Sequence, residues 1–210
     1  MTKRRRPGRP RKSDTDTTAA IADAGRRRFA TRGYEATSLR EIASDANIDV
    51  ALIAYRFGGK AGLWKSIVSQ SAKDLHAALD QALGEAQAKS ARERLRHAMR
   101  TFIDYQLAHP DMPRLLLRDI TIDSDRNDWL LDELSLPLHR YFFDLARAAA
   151  AECEHDVHHL QFRVANFIYA AASTVARRER LAKLVDNVTD DRAFEAALED
   201  TLIDGALRCD

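Results

Sequence analysis

The segment from residue 33 to 64 predicts two short helices joined by a tight turn. Ser38 and Glu41 form an S-x-x-E pair, in which the hydroxyl and the carboxylate each satisfy an unpaired backbone N–H at a helix start. The helix that begins there should end at Asn47, because asparagine tolerates the left-handed conformation that a helix end needs. Asp49 is then a good N-cap for a second helix.

Apolar residues recur at helical spacing in both helices. Leu39, Ile42 and Ala43 give the first helix its buried side, and Ile53 and Phe57, four residues apart, do the same for the second. Only three or four residues separate the two helices, and this geometry places a second helix in the major groove of DNA. The pattern therefore predicts a DNA-binding helix-turn-helix.

A longer helix is predicted before this motif, from about residue 17 to 32. Ile21 and Phe29 should face inward, and Gly33 should stop the helix. The three consecutive arginines at 26 to 28 fan around the helix, so a solvated face is at least as good an interpretation as phosphate contact. We expect this helix to support the motif.

From residue 60 onward apolar residues recur every three or four positions, and no strand-like alternation is found. The chain is therefore predicted to be all-α. Pro137 should kink or split the helix that contains it, and Ser90 begins a second S-x-x-E pair. The helices of this part are predicted at 60–83, 90–108, 111–123, 127–151, 157–178 and 190–207. The predicted domains are a disordered basic arm at 1–16, a three-helix DNA-binding domain at 17–64 and a larger helical domain at 65–210.

The charge distribution supports this division. The 210 residues carry a net charge of only +1, with 45% hydrophobic and 31% charged residues, as in an ordinary globular protein. Residues 1–65, however, hold 15 of the 33 Lys and Arg residues but only 7 of the 32 Asp and Glu residues. A basic N-terminal quarter on an acidic body is the electrostatic pattern of a DNA-binding head on a domain that stays off the phosphates.

Composition also bears on where the protein works. Cys153 and Cys209 suggest neither a disulfide framework nor a metal-binding pair, which fits a reducing cytosol. The longest apolar stretch, residues 167–176, is too short to span a bilayer, and the basic start lacks the apolar segment of a signal peptide. We therefore expect a cytoplasmic protein without a membrane partner.

The arm at residues 1–16 should be disordered, because its cations repel one another and its prolines forbid a helix. Residues 7–12 resemble the Gly-Arg-Pro core of an AT-hook, so Arg9 and Arg11 are expected in an A/T-rich minor groove. The alternative is a tail that only improves solubility. If the arm contacts DNA, deleting residues 1–12 should weaken operator binding and flatten its salt dependence.

Six short groups of residues follow one another in a set order between residues 15 and 65. They are Gly33-Tyr34, Thr37-Ser38, Glu41-Ile42-Ala43, Ala46-Asn47-Ile48, Phe57-Gly58-Gly59-Lys60 and Leu63. This order resembles the DNA-binding domains of the TetR family of transcriptional regulators. The chain departs from the family at Asn47, where a glycine is usual, at Ala54, where an aromatic is frequent, and at Arg28, where leucine is usual. The departures leave open which side chains touch which bases.

The second helix of the motif should present Val50, Ala51, Ala54, Tyr55 and Arg56 to DNA, with Leu52 uncertain. This face is poor in groups that hydrogen-bond base edges, so Val50, Ala51 and Leu52 would read thymine methyl groups by apolar contact.

Other contacts are implied by the resemblance. It places Arg40 in the groove, where this residue is the best candidate for reading guanine. It also gives Thr37, Ser38, Tyr55 and Lys60 as the residues that position phosphates. Ser38 has a competing task as a cap, and Tyr55 could instead be an aromatic at the edge of the core.

The resemblance further implies a small-molecule pocket between the middle helices and a dimer interface built largely from the last two long helices. The heads of such a twofold dimer would lie about 35 Å apart on a palindromic operator. Each aromatic residue of the body, taken singly, is better explained as ordinary core. The candidate ligand residues are Phe102, Tyr105, Arg118, Trp129, His139, Phe142, Arg163, Asn166 and Phe167.

No motif supports an enzyme or a cofactor, since neither a Gly-rich phosphate loop nor a nucleophile elbow is found. His155 and His159 have a metal-capable spacing, but a loop in which Asp156 caps the next helix explains them better. The leading prediction is a ligand-responsive repressor that binds double-stranded operator DNA as a homodimer. The alternatives are a helical carrier or sensor of apolar molecules with only nonspecific nucleic-acid contact, and a regulator controlled by a protein partner.

Overall fold

The structure is a computed structural model that describes residues 12–120, 124–152, 158–186, 188 and 190–207. Within these residues every regular element is helical, which confirms the all-α prediction. The α-helices are α1 Lys12–Arg32, α2 Leu39–Asp45, α3 Val50–Phe57, α4 Lys60–Glu85, α5 Ala91–Ala108, α6 Asp111–Asp119, α7 Asp125–Leu130, α8 Leu136–Ala150, α9 Leu160–Ala176, α10 Arg178–Leu181, α11 Asp191–Leu198 and α12 Asp204–Ala206.

The chain divides into two compact units, Met1–Val68 and Ser69–Asp210. Both this division and the predicted one after residue 64 fall within α4.

Helix α1 begins earlier than predicted. It starts at Lys12, so the prediction of a disordered arm is wrong for residues 12–16. The sequence after Pro10 holds no further proline before this helix ends, so nothing in it forbids the earlier start. The rest of the predicted arm, including Arg9 and Arg11, lies outside the described residues.

The predicted helix ends of the first unit are confirmed. The backbone N–H of Ser38 donates to Glu41 Oε2 at 2.9 Å, and the N–H of Glu41 donates to Ser38 Oγ at 3.3 Å, which completes the capping box. Asn47 has a φ of 52°, as a left-handed helix end requires. Asp49 Oδ1 accepts from the N–H of Ala51 at 2.7 Å, and Gly58 ends α3 with a φ of 73°.

The core of the first unit lies where the three helices meet. Ile21, Phe29, Ile42 and Ile53 are buried as predicted, with at most 1% of their surface exposed. Phe57 and Leu39, predicted to be buried, are only half-buried. Tyr34 extends this core, because its ring stacks on Phe29 at 5.6 Å and meets Trp64 edge-on at 6.2 Å.

A glycine near the start of α4 allows a close backbone approach. A Cβ atom added at Gly62 would lie 1.7 Å from the carbonyl oxygen of Phe57, the last residue of α3. Real atoms never come so close, and the obstacle is backbone, which cannot rotate away. Gly62 therefore fixes how tightly the end of α3 meets the start of α4.

Two predictions of helix bounds in the second unit need correction. Helix α6 ends at Asp119 rather than 123, and the helix predicted to begin at residue 157 begins at Leu160 after His159, whose φ is 57°. The left-handed conformation of His159 cannot continue a helix, so α9 starts only after it. Asp156, proposed as its cap, and the two cysteines lie outside the described residues.

The helix around Pro137 changes its hydrogen-bonding pattern, as the prediction of a split implied. A π-helical turn, Leu131–Ser135, stands between α7 and α8, and the N–H of Leu136 donates to the carbonyl of Leu131. Proline lacks an N–H, so it removes a donor from this stretch. A second π-helical turn, Glu199–Ile203, separates α11 from α12.

The core of the second unit is built around three phenylalanines. The rings of Phe102, Phe142 and Phe167 lie 5.8 to 6.0 Å apart, and each is at most 2% exposed. They come from α5, α8 and α9, so one aromatic cluster joins these helices. Burial of each such side chain contributes roughly 1.5–3 kcal/mol to stability.

Candidate functional site

The outer face of α3 is exposed. Tyr55 has 87% of its surface exposed and Val50 has 37%, and Ala51 and Ala54 are exposed beside them. Tyr55 forms no hydrogen bond or ring contact with any residue that the structure describes, so it is not an aromatic at the edge of the core. Leu52, whose position was uncertain, is half-buried. The face offers one aromatic hydroxyl and several small apolar groups to a partner.

Arg56 does not share this exposure. It is half-buried, and its guanidinium donates to the hydroxyl of Thr18 on α1. The prediction that Arg56 stands on the exposed face is therefore wrong. The residue follows Tyr55 directly, and one step along a helix turns a side chain by about 100°, here toward α1.

Arg40, on the first helix of the motif, is exposed. It makes no hydrogen bond or ion pair with any of the described residues. Its neighbour Ser38, by contrast, is held in the capping box, where its hydroxyl also donates to Glu41 Oε2 at 2.9 Å. Arg40 is thus the available cation of α2, whereas the Ser38 hydroxyl serves first as a cap.

Thr37 has a structural role. Only 1% of its surface is exposed, and its hydroxyl donates to the carbonyl of Gly33 at 2.8 Å. Burial of this side chain favours a structural role over phosphate contact, and the phosphate contact of Thr37 stays a prediction. Its hydroxyl holds the chain that runs from α1 into α2.

Lys60, the first residue of α4, is held at the surface by two contacts. Its ammonium group lies 4.3 Å from the centre of the Tyr34 ring and donates to the carbonyl of Glu35 at 3.3 Å. An ammonium held over an aromatic face keeps its charge and has fewer rotamers to lose on binding. Lys60 is therefore a preorganised cation beside the motif.

The three consecutive arginines of α1, at 26 to 28, all form ion pairs with acidic residues. Arg26 and Arg27 pair with Asp23, and Arg28 reaches across to α2, where it donates to both carboxylate oxygens of Asp45. Arg28 also donates to Glu41 Oε1 at 3.1 Å. These contacts favour a structural role for the three arginines over phosphate contact. They also show what Arg28 does at a position where leucine is usual: it joins α1 to α2.

The same contacts lower the pKa values of two acidic residues of α2, Asp45 and Glu41. The hydrogen bond from Arg28 lowers the pKa of Asp45 below its ordinary value, and the positive charge of Arg28 adds to this. The backbone and side-chain hydrogen bonds of Ser38 lower the pKa of Glu41, with a smaller contribution from Arg28. Both carboxylates are therefore stabilised in their charged forms.

An apolar cavity of about 50 Å³ lies in the second unit, and its walls come from α5, α6, the first π-helical turn, α8 and α9. Two of the candidate ligand residues, Phe102 and His139, line it. The other lining residues are Gln106, Pro113, Leu116, Leu117, Ile120, Leu134, Ser135, Leu138, Ile168, Tyr169 and Ala172.

The remaining candidate ligand residues lie elsewhere. Phe142 belongs to the aromatic core, and Tyr105 donates its hydroxyl to the carbonyl of Ser71 at 3.0 Å. Arg118 is exposed and Trp129 is half-buried, and neither lines the cavity. The structure thus does not bring the nine candidates together. A more open pocket is lined by Arg163, Asn166, Phe167, Thr201, Leu202, Gly205 and Ala206.

Two other predictions concerned metal and membranes. Among the residues that the structure describes, no group of three or more His, Cys, Asp and Glu side chains could hold a metal ion, and His155 lies outside them. No helix in the described part of the chain is long and apolar enough to cross a bilayer.

Comparisons with known proteins place the first unit in a family. Residues 21–67 match the family of bacterial regulatory proteins, tetR family. The probable HTH-type transcriptional regulator YttP of Bacillus subtilis (strain 168) is 35% identical to this chain over 96 residues, which is 46% of each protein. The matched part of the chain thus spans less than half of that relative.

Solved structures resemble the whole fold. The fatty acid degradation regulator FadR of Bacillus halodurans has a TM-score of 0.71 at 14% identity, covering 90% of this chain and 95% of that one. A TetR-like transcriptional regulator of Rhodococcus sp. RHA1 has a TM-score of 0.67 at 18% identity, covering 94% and 98%. At such identities these likenesses concern the fold alone.

The first unit is therefore a helix-turn-helix domain of the type that bacterial transcriptional regulators carry. Residues 21–67 thus match the tetR family of bacterial regulatory proteins in sequence, and the solved structures share the all-helical fold.

Proposed function

We propose that this chain is a ligand-responsive transcriptional repressor that binds a palindromic operator as a homodimer and has no enzymatic activity. The observation that carries the proposal is the exposed face of α3. Val50, Ala51, Ala54 and Tyr55 point outward from a helix capped at both ends, and a fixed helix of this kind fits the major groove. A DNA-binding regulator works where the chromosome is, so we place it in the cytoplasm.

The proposed contacts divide by task. Val50, Ala51 and Leu52 meet thymine methyl groups, and Arg40 reads a guanine through two hydrogen bonds. A set of polar and basic residues around the motif positions the phosphate backbone without reading sequence. This set consists of Ser38, Tyr55, Lys60 and, from the arm, Arg9 and Arg11, which would follow the minor groove.

The exposed apolar side chains of α9 support a dimer. Phe162 is 71% exposed and Tyr169, seven residues later on the same side of the helix, is 39% exposed. Large apolar groups exposed together mark surfaces that contact a partner. A second copy of the chain is the partner we propose, because a palindromic operator requires two heads.

The cavity supports a small-molecule effector. Its apolar walls suit part of a ligand, but its volume of about 50 Å³ is well below the roughly 300–1,000 Å³ of ordinary ligand pockets. An effector larger than this would bind only a conformation in which the walls have moved. A ligand that binds one conformation more tightly than the other shifts the protein toward that conformation and can thereby change its affinity for DNA. A coupling free energy of about 1–3 kcal/mol between the ligand site and the DNA site suffices.

The experiment that tests the proposal is selection of bound fragments from genomic DNA by the full-length protein at moderate salt. We expect recovery of fragments that share a palindrome, and loss of recovery with Tyr55→Ala. Sedimentation of the complex should give two chains per site. Recovery of fragments without a common sequence would favour the carrier with nonspecific nucleic-acid contact instead.

A further inference from the structure

We propose that the cavity in the second unit binds a small, mostly apolar molecule with one uncharged hydrogen-bonding group, such as a hydroxyl, and that Gln106 recognises that group. The inference rests on the proposed function, because it names the chemical class of the effector. It adds a recognition residue that lies outside the nine candidates from the sequence.

Gln106 is the unusual residue of the cavity wall. It lies on α5, is only 7% exposed and lines the cavity. None of the residues that the structure describes forms a hydrogen bond with its side-chain amide. Burying an amide without partners costs stability, so buried amides in proteins normally have partners. An unpaired amide against a cavity is explained if the partner is a ligand.

The other polar groups of the wall define what the ligand carries. His139 Nδ1 lies 2.6 Å from the carbonyl oxygen of Ser135, and since that oxygen can only accept, Nδ1 is the donor. In the neutral ring Nε2 is then an acceptor. Gln106 offers both a donor and an acceptor, so a hydroxyl, which also does both, is the matching group.

The wall is unsuited to an ionised ligand. The described residues that line the cavity include no lysine, arginine, aspartate or glutamate. A carboxylate moved from water into such a site would lose its hydration and would find no permanently charged cation among these lining residues. We therefore expect the uncharged alcohol to bind more tightly than the carboxylate of the same length.

The π-helical turn at Leu131–Ser135 forms part of the same wall through Leu134 and Ser135. Such turns are rare and occur frequently at functional sites, because they break the regular hydrogen bonding of a helix. The turn thus supplies a wall segment that can rearrange around an occupant, and the volume of about 50 Å³ indicates that the occupant is small.

The test uses the full-length protein and three probes of equal chain length: pentan-1-ol, 1-chloropentane and pentanoate. Ligand-detected NMR titration gives the affinity of each. We expect pentan-1-ol to bind about five- to tenfold more tightly than 1-chloropentane, which corresponds to one net hydrogen bond. Gln106→Leu should remove this advantage and leave 1-chloropentane binding unchanged. The matched control is Gln161→Leu, at an exposed glutamine of α9, which should change neither affinity.

Thermal unfolding separates recognition from structure. Gln106→Leu and Gln106→Met should melt at or above the wild-type temperature, because each replaces an amide that has no partner among the described residues. The inference is overturned if both variants melt well below wild type, if pentanoate binds more tightly than pentan-1-ol, or if no probe binds. A protein that binds pentan-1-ol as expected but selects no DNA site supports this inference and contradicts the proposed repressor.

Discussion

Arg28 and Asp45 join α1 to α2 through two parallel hydrogen bonds. Arg28 Nε donates to Asp45 Oδ2 at 2.5 Å, and Nη2 donates to Oδ1 at 2.8 Å. Bidentate pairs of this kind are stronger and more directional than ion pairs with a single hydrogen bond. The pair fixes the supporting helix against the first helix of the motif, and so it helps to hold the DNA-binding head in one geometry.

This pair gives the first unit a defined response to acid. Asp45 and Glu41 have lowered pKa values in the folded state, so their contribution to stability is fully present above the ordinary values of 3.8 and 4.5. It is lost as the pH falls through the lower folded values. We expect Asp45→Asn to destabilise the unit at pH 7 and to have less effect at pH 3, measured by urea unfolding. An equal effect at both values would show that the charge of Asp45 is irrelevant.

Gly62→Ala should destabilise the first unit, although alanine is a better helix former than glycine. The added Cβ would meet the Phe57 carbonyl, and overpacking against a fixed group costs about 1–3 kcal/mol or more. Gly84→Ala, in the same helix but with nothing within 4 Å, is the matched control and should stabilise by about 0.5–1 kcal/mol. Urea unfolding measures both. If the two variants shift stability in the same direction, the close approach at Gly62 is not rigid.

Thr37→Val tests the structural role of this hydroxyl. The substitution keeps the shape but removes the donor to Gly33, so we expect a loss of about 0.5–1.5 kcal/mol in the free energy of unfolding. Operator affinity should remain near wild type at temperatures where the variant is folded. Thr31→Val, at an exposed position of α1, should cost less. A stable Thr37→Val protein with weakened DNA binding would restore Thr37 to the DNA contacts.

Tyr55→Phe and Arg40→Ala should change DNA binding in two different ways: the first should lower affinity, and the second should relax base preference. Loss of the Tyr55 hydroxyl removes a hydrogen bond to a charged phosphate, about 1.5–3 kcal/mol, and should weaken binding to all sequences alike. Loss of Arg40 should relax the preference at one base pair by about 1–3 kcal/mol. Neither side chain has a partner among the described residues, so unfolding temperatures should not change. Binding-site selection with both variants would contradict the assignment if Tyr55→Phe altered the preferred bases.

The sequence predicted the local features of the head well, because caps and turns depend on residues close in the chain. Ser38, Glu41, Asn47 and Asp49 all act as their spacing indicated. The Arg28–Asp45 pair could not be predicted in the same way, since it joins residues 17 positions apart and only the packing of the helices brings them together.

The predictions of site residues were less accurate than those of caps and turns, because the type of a residue does not determine the direction of its side chain. Thr37 matches the family pattern but points into the core, and Arg56, which helical spacing placed on the exposed face, turns back to α1. Nothing in the sequence marked Gln106 as a site residue, because a glutamine in a helical pattern cannot be told from an ordinary surface glutamine. Only the structure, which buries it against a cavity, distinguishes it.

The measurement that tests the central claim most directly is dimethyl sulfate protection on a selected operator fragment. Dimethyl sulfate methylates guanine N7, which lies in the major groove, where α3 and Arg40 are proposed to dock. We predict protected guanines in two symmetric half-sites about 34–36 Å apart, with one guanine per half-site losing its protection in Arg40→Ala. Full reactivity of every guanine in a fragment that the protein demonstrably binds would contradict the docking of α3 in the major groove.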